Sequence, residues 1–542
     1  MIRTFYLSLL ATTMLAAPLL ASGAHAQSSD LPHLVSHDGH NALIVDGAPF
    51  LMLGAQANNS SNAPAQLPMV WAAIDKLGAN TLEMPVAWEQ VEPREGQFDF
   101  AWVDTLLTEA RQHHVRLVLL WFATWKNGSP HYTPQWVKTD PARFPRVMNN
   151  KGDLVDSLSP LGMNTQAADA RAFAALMAHV KAADPQHTVI MVQVENETGT
   201  WGSVRDFSPL AQKVFDGPVP PALLKARGLK PGTWKEVFGA DADEVFHAWS
   251  VAHYVDAVAA VGKAQLALPM YVNVALRDPI APKGPETYES GGPTDNVLDV
   301  WHAAAPHIDA IGPDIYQPDF AHYSAVLDHY GAKDAPLMVP ETSRNYATAR
   351  YMFAVFGRGG IGFSPFGMDF TGDATTADTI PAGDVDKLEP YASNYHLIAP
   401  MMRYWARAAF EGRVKGAAES EARTPDVFDF GDWTVTVHYD RSAFGATDWA
   451  NVKLRPVNPL GADGGVLIAQ KGANEFVVTG RMARVEFAPK APGRHMQFLS
   501  VDEGTLADDQ WVTHHIWNGD QTDYGLNLSM VPRTLDVRLS TY

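Results

Sequence analysis

Between about residue 43 and residue 370 the chain repeats one alternation, a short and almost continuously apolar run followed by a stretch with helical spacing. The apolar runs are Phe50 to Gly54, Asn80 to Val86, Arg116 to Trp121, Val189 to Val194, Met270 to Val274, Ile308 to Gly312, Leu337 to Pro340 and Gly360 to Ser364. Strands that face solvent on one side alternate polar and apolar residues, whereas strands covered on both faces stay apolar throughout. The runs are of the second kind. Helical spacing is clearest at 65–77 before Gly78, at 102–113, and at the alanine-rich 167–183 before Pro185. Eight buried strands alternating with helices predict an α/β fold, a (β/α)8 TIM barrel over 27–400, with 203–262 as an insertion after the fourth strand. A doubly wound sheet is the rival architecture, but no glycine-rich nucleotide loop supports it.

After about residue 410 the pattern changes. Trp433 to Tyr439, Glu475 to Thr479, Ala483 to Phe487 and Leu535 to Leu539 alternate with a period of two, the mark of antiparallel strands. A smaller all-β, sandwich-like accessory domain is expected over 410–542.

The N-terminus reads as an export signal. Arg3 precedes an apolar or small-residue stretch over 5–21, and Ala24-His25-Ala26 fits a small-residue cleavage site, so residues 1–26 are expected to be removed and the mature chain to be periplasmic or secreted. No later stretch reaches the ~20 apolar residues of a spanning helix, so no membrane partner is expected. The absence of cysteine excludes thiolate metal sites and thiol nucleophiles. A formal charge of -19 argues against nucleic acid, whose phosphates need basic patches. The twenty histidines show no HExxH clustering, and neither a metal nor a cofactor is expected.

In a barrel of this kind the active site lies at the C-terminal ends of the strands. Two apolar runs end there in carboxylates. "MVQVENETGT" carries Glu195 and Glu197 around Asn196 at the end of the fourth, and "PLMVPETSRN" carries Glu341 at the end of the seventh. A lone Glu-x-Glu would read as structural. Two glutamates opposed across a barrel mouth are what glycosidic cleavage needs, one to protonate the leaving oxygen and one to attack or stabilise the anomeric carbon. Opposed strand ends would bring the carboxyls to the ~5–5.5 Å of retaining hydrolysis rather than the ~6.5–9.5 Å of inversion.

"MVQVENETG" resembles the Q-x-E-N-E-[YF]-G signature of glycoside hydrolase family 35, best known for β-galactosidases. "LGANTLEMPVAWEQVEPREGQFDF" resembles that family's second-strand segment. The resemblance covers roughly residues 40 to 400. It implies Glu197 as acid/base, Glu341 as nucleophile and Asn196 as the partner of the sugar's 2-hydroxyl, which leaves Glu195 a structural role. It further implies exo-acting, retaining removal of terminal β-galactosyl residues from oligo- or polysaccharides, xyloglucan side chains among them. Thr198 stands where that family has an aromatic residue, and Thr124-Trp125-Lys126-Asn127-Gly128 replaces an acidic stretch that grips the galactose. The alternatives are another β-glycosidase or endo-β-glycanase of the same barrel class, and a non-catalytic sugar-binding protein.

Five further residues are candidates for sugar contact. Trp88 and Trp125 end the second and third strands and would stack on sugar or pack at the rim. Tyr316, after the sixth strand, would bond the nucleophile or line the pocket. Asn58 would touch hydroxyls or cap its loop, and Trp201 would shape the leaving-group site.

Overall fold

The computed structural model describes residues 30–331, 335–369, 388–439, 461–507 and 510–542. The expected export signal at 1–26 lies outside the described residues. Eight parallel strands close into a barrel: β1 Met52–Gln56, β2 Thr81–Ala87, β3 Arg116–Lys126, β4 Val189–Asn196, β5 Met270–Ala275, β6 Ala310–Ile315, β7 Met338–Thr342 and β8 Gly362–Pro365. Each corresponds to one of the eight apolar runs.

The reason for their continuous apolarity is visible along β3. Val118, Leu120 and Phe122 pack with Met52, Ile190, Tyr271 and Met338 in one cluster. Leu117, Leu119, Trp121 and Ala123 pack in a second cluster shared with the surrounding helices. Both faces are dry, so neither tolerates a polar alternate. Among the helices, α1 Leu67–Leu77, α2 Ala101–Gln112 and α3 Met163–Ala183 match the helical spacing within a few residues. Gly78 ends α1 in the left-handed region at φ 68, and a Cβ there would stand 2.7 Å from the His396 ring.

The segment 203–262 is not one insertion. Short helices at Pro209–Phe215, Pro221–Arg227 and Trp234–Phe238 fill its first part, but Ala242–Gln265 is α4, the barrel's own helix between β4 and β5, packed against α3. Its burial nearly all round hides the amphipathic signal that would separate it from the inserted helices. A three-stranded antiparallel sheet, His33–His37, His40–Val45 and Ala48–Phe50, precedes the barrel and has no counterpart in the sequence expectations. Its Leu43, Val45 and Phe50 join the cluster within the barrel, and Asp46 pairs with Arg116 at the start of β3 (2.6 Å). The sheet therefore covers the end of the barrel opposite the strand C-termini.

The C-terminal region is two antiparallel sheets, one of six strands and one of four. Trp433, Val435, Val466, Ile468, Phe476, Val485, Val537 and Leu539 fill the space between them. The intervening Leu467, Ala469 and Val477 belong to the barrel's helical cluster, so one sheet is buried on both faces, between sandwich core and barrel. Arg350, itself buried, ties the two regions by donating to Glu419 O (2.8 Å) and Glu421 Oε1 (2.7 Å). No helix among the described residues is long and apolar enough to cross a membrane.

Candidate active site

At the end of β4 the backbone turns sharply to present Glu197. Glu195 and Glu197 both adopt left-handed φ, 64 and 43 respectively, which costs a non-glycine residue roughly 1–3 kcal/mol and needs surrounding structure to hold it. The holding groups are explicit. Trp125 N donates to Glu195 Oε2 (2.8 Å) and Gln193 Nε2 to Glu195 O (2.9 Å). Glu197 N donates to Asn273 Oδ1 on β5 (2.9 Å), and Gly128 N donates to Glu197 O (3.0 Å). Glu195 is thereby fixed behind the site, its carboxyl against Asp169, and burial pushes it well above the ordinary range.

Across the barrel mouth, carboxylate oxygens of Glu197, Asp314 and Glu341 lie within 4.8 Å of one another. Asp314, the penultimate residue of β6, lies directly beside Glu341 in the strand register, and Asn273 Nδ2 donates to its Oδ2 (2.6 Å). One asparagine thus holds both the Glu197 backbone and the Asp314 carboxylate. Two full charges at this spacing repel by roughly 3 kcal/mol at an effective dielectric of ~20, so the three cannot all ionise together. Their surroundings decide which does. Glu341 receives Gln56 Nε2 from β1 (2.8 Å) and the Tyr316 hydroxyl, two donors that suit a carboxylate. Glu197 has its carboxyl pushed up to about 7, by burial first and then by the Glu341 charge, with the Lys126 ammonium opposing. Burial and the same neighbour hold Asp314 well above its usual range. A carboxyl that accepts two hydrogen bonds thus faces one held toward its protonated form. Three such oxygens would also suit a cation in spacing, but both Glu341 oxygens are already taken by donors and Lys126 stands close by.

Glu83 on β2 is a fourth carboxyl in the barrel, pushed up to about 8 by burial, with the Ser364 hydroxyl donating to it (2.5 Å) and opposing the shift. Folded, it stays neutral while the unfolded carboxyl ionises near 4.5, so it makes stability fall as pH rises from about 4.5 to about 8 and not further above. Glu83→Gln is neutral throughout. It is expected to gain on the wild type across that window by at most ~1.4 kcal/mol per pH unit. Thermal unfolding at pH 5 and pH 8 measures this, and a difference that does not widen with pH would remove the burial argument.

Asn196 is fully buried, and neither of its amide atoms has a partner among the described residues. Tyr316 bonds Glu341, and the residue as a whole stays 44% exposed. Trp201 is 51% exposed and donates its indole N–H to Glu289. Asn58 takes the loop-tying role, donating through its backbone N (3.1 Å) and Nδ2 (2.6 Å) to Asp369. Trp88 and Trp125 are corrected. Both are fully buried, Trp88 bonded to Glu92 (2.9 Å) and edge-on to Trp136, Trp125 bonded to Ser157 (3.2 Å) and edge-on to Tyr254. Neither presents a face to a sugar, because Trp136 covers one ring and Tyr254 the other.

Sequence reasoning missed Asp314, Asn273, Gln56, Lys126 and Glu289. The first three are polar residues at or near the ends of apolar runs, the same signal that singled out Glu197 and Glu341. Glu289 sits in the long loop after β5, where no strand end marks it.

Comparison with known sequences agrees with this chemistry. Residues 69–254, which carry β2 to β4 and Glu197, match glycoside hydrolase family 42, described as β-galactosidase. The barrel's first half thus has the sequence pattern of a glycoside hydrolase, and the family returned is 42, where the motifs pointed to family 35. Residues 391–529 match a domain of unknown function, DUF5597. No curated protein matches the chain. Similar solved structures include the catalytic domain of β-amylase from Paenibacillus polymyxa, at 12% identity over 62% of this chain and 96% of that one, with a TM-score of 0.46. They also include β-galactosidase from the psychrophilic Marinomonas ef1, at 11% over 66% and 61%, TM-score 0.47. A third is the exo-β-1,4-mannosidase Op5Man5 from Opitutaceae bacterium strain TAV5, at 14% over 61% and 54%, TM-score 0.38.

Proposed function

We propose that the chain is an exported, retaining, exo-acting glycoside hydrolase that removes terminal β-galactosyl residues from oligo- or polysaccharides, plant cell-wall galactosides such as xyloglucan side chains among them. The observation that carries the reading is the Glu197–Glu341 pair, with oxygens within 4.8 Å and opposite hydrogen-bonding surroundings. Oxygens this close support the ~5–5.5 Å carboxyl spacing of retaining hydrolysis over the ~6.5–9.5 Å of inversion. Glu341 attacks the anomeric carbon as Glu197 protonates the leaving oxygen. Glu197, now a carboxylate, takes a proton from water, which displaces Glu341 from the glycosyl ester. Asn196, buried with a free amide, holds the sugar's 2-hydroxyl. Export follows from the leader pattern at 1–26.

A second reading, a β-glycosidase of the same class acting on another sugar, draws on Lys126. This lysine is buried near Glu197 where the family 35 pattern has acidic residues. Relative kcat/KM on aryl β-galactoside, β-glucoside and α-arabinoside separates the two, and the galactoside is expected to lead. Proton NMR in early turnover is expected to show the β-anomer first. Initial α-anomer would end the double-displacement mechanism for either sugar.

A further inference from the structure

The aromatic ring most open to solvent beside the carboxyls is Trp201. Among the described residues it is the one tryptophan exposed by as much as half its surface, 51%. An exposed indole is ordinarily free to turn, and this one is fixed. Its N–H donates to Glu289 Oε1, and Glu289 is only 3% exposed. The backbone beneath is clamped in both directions, Thr200 N to Ser290 O (2.8 Å) and Ser290 N to Thr200 O (3.2 Å). Gly128, at the tip of the loop after β3, closes the third side. A Cβ there would stand 3.6 Å from the indole and 3.7 Å from the Glu289 carboxyl carbon. The other oxygen of Glu289, Oε2, is buried with no partner among the described residues. A rigid, open ring beside a buried acceptor with nothing to accept is built for a ligand with both an apolar face and hydroxyl groups.

Its position relative to the catalytic pair says which part of the ligand. Gln56 and Tyr316 cluster at Glu341, the side of the attacked sugar. Trp201 follows Glu197 by four residues, and Gly128, whose Cβ position lies 3.6 Å from the indole, donates its N–H to Glu197 O (3.0 Å). Glu197 delivers its proton to the departing oxygen, so the group next to it on the side away from Glu341 is the leaving group.

We infer that Trp201 and Glu289 form a leaving-group subsite for a sugar ring, with the indole under the pyranose face and Glu289 accepting a hydroxyl. This deepens the glycosidase reading and rests on it. The natural aglycone is then itself a saccharide, and the same subsite admits a sugar acceptor to the glycosyl-enzyme. In that transfer the acceptor hydroxyl gives its proton to the Glu197 carboxylate. Its oxygen bonds to the anomeric carbon, and the ester bond to Glu341 breaks with its electron pair returning to the carboxylate. Atoms and charge balance without a further reactant.

The test uses the full chain, with cellobiose as acceptor and, as donor, the best aryl β-glycoside of the panel above. Transfer product and free sugar are quantified together by chromatography. Trp201→Ala is expected to lower the transfer-to-hydrolysis ratio roughly tenfold, Glu289→Gln severalfold, and Trp201→Phe, which keeps a ring, less than Trp201→Ala. Because the readout is a ratio within one reaction, a general loss of activity or of folded enzyme cancels. An unchanged ratio in Trp201→Ala, or a wild type that transfers nothing to cellobiose while hydrolysing the donor, overturns the subsite and leaves the glycosidase reading standing. A wild type that cleaves no aryl glycoside overturns both.

Discussion

Glu341→Ala is expected to lower kcat/KM on an aryl β-galactoside by about 10⁴-fold or more, because the covalent glycosyl-enzyme has no other carboxylate to form on. The nearest substitutes are unsuited. Asp314 lies beside Glu341 in the register, but burial and its neighbours favour its neutral form, and Asn273 already donates to one of its oxygens. Glu83 is held neutral to about pH 8. The alanine variant also leaves a small cavity flanked by Gln56 Nε2 and the Tyr316 hydroxyl, two donors that have lost their acceptor. A small anion such as azide fits that space and those donors. Azide is therefore expected to restore turnover on an activated aryl galactoside and to give the α-galactosyl azide, one inversion having replaced two. Residual activity within tenfold of wild type, or a β-azide product, would remove Glu341 from the nucleophile's position. A variant that fails to fold is separated from this outcome by the rescue itself, since azide cannot restore an unfolded site.

How far the sequence leads depends on which physical signal each feature leaves. The barrel was legible because burial on two faces writes an unbroken apolar run, and eight such runs leave few architectures open. Glu197 and Glu341 were legible because each interrupts such a run at its C-terminal end. The same rule read with equal strictness would have yielded Gln56 and Asp314, which also lie at or next to strand ends. Glu289 leaves no comparable trace: it reaches the site from a loop through its own bond to Trp201 and the pairing of its neighbour Ser290 with Thr200, and nothing local in the sequence specifies that approach. Trp88 and Trp125 show the limit from the other side. Their place at strand ends is right, but whether a ring at the rim faces a ligand or the interior depends on what folds over it. Here that is Trp136 for one and Tyr254 for the other, distant in sequence from the rings they cover. The N-terminal sheet escaped because its short strands lie mostly in half-exposed positions, with too few buried residues to write either period clearly.

Glu197→Ala is expected to divide substrates by the basicity of their leaving group. A protonated Glu197 matters most when the departing oxygen would otherwise leave as a strongly basic alkoxide, as from a disaccharide, and least for a dinitrophenolate that leaves unaided. The loss on a galactosyl disaccharide is expected at about 10³-fold or more, and on a dinitrophenyl galactoside within roughly tenfold for the step that forms the glycosyl-enzyme. The pH profile supplies an independent reading. Burial and the Glu341 charge hold Glu197 up to about 7, so its acid form is lost as pH rises through that value. Wild-type kcat/KM should accordingly fall on the basic side near pH 7, and Glu197→Ala should lose that limb. Equal losses on both leaving groups would deny Glu197 the acid's role. A basic limb that survives the substitution would pass that role to a neighbour, and Asp314, with an oxygen within 4.8 Å of both Glu197 and Glu341, is the group placed to take it.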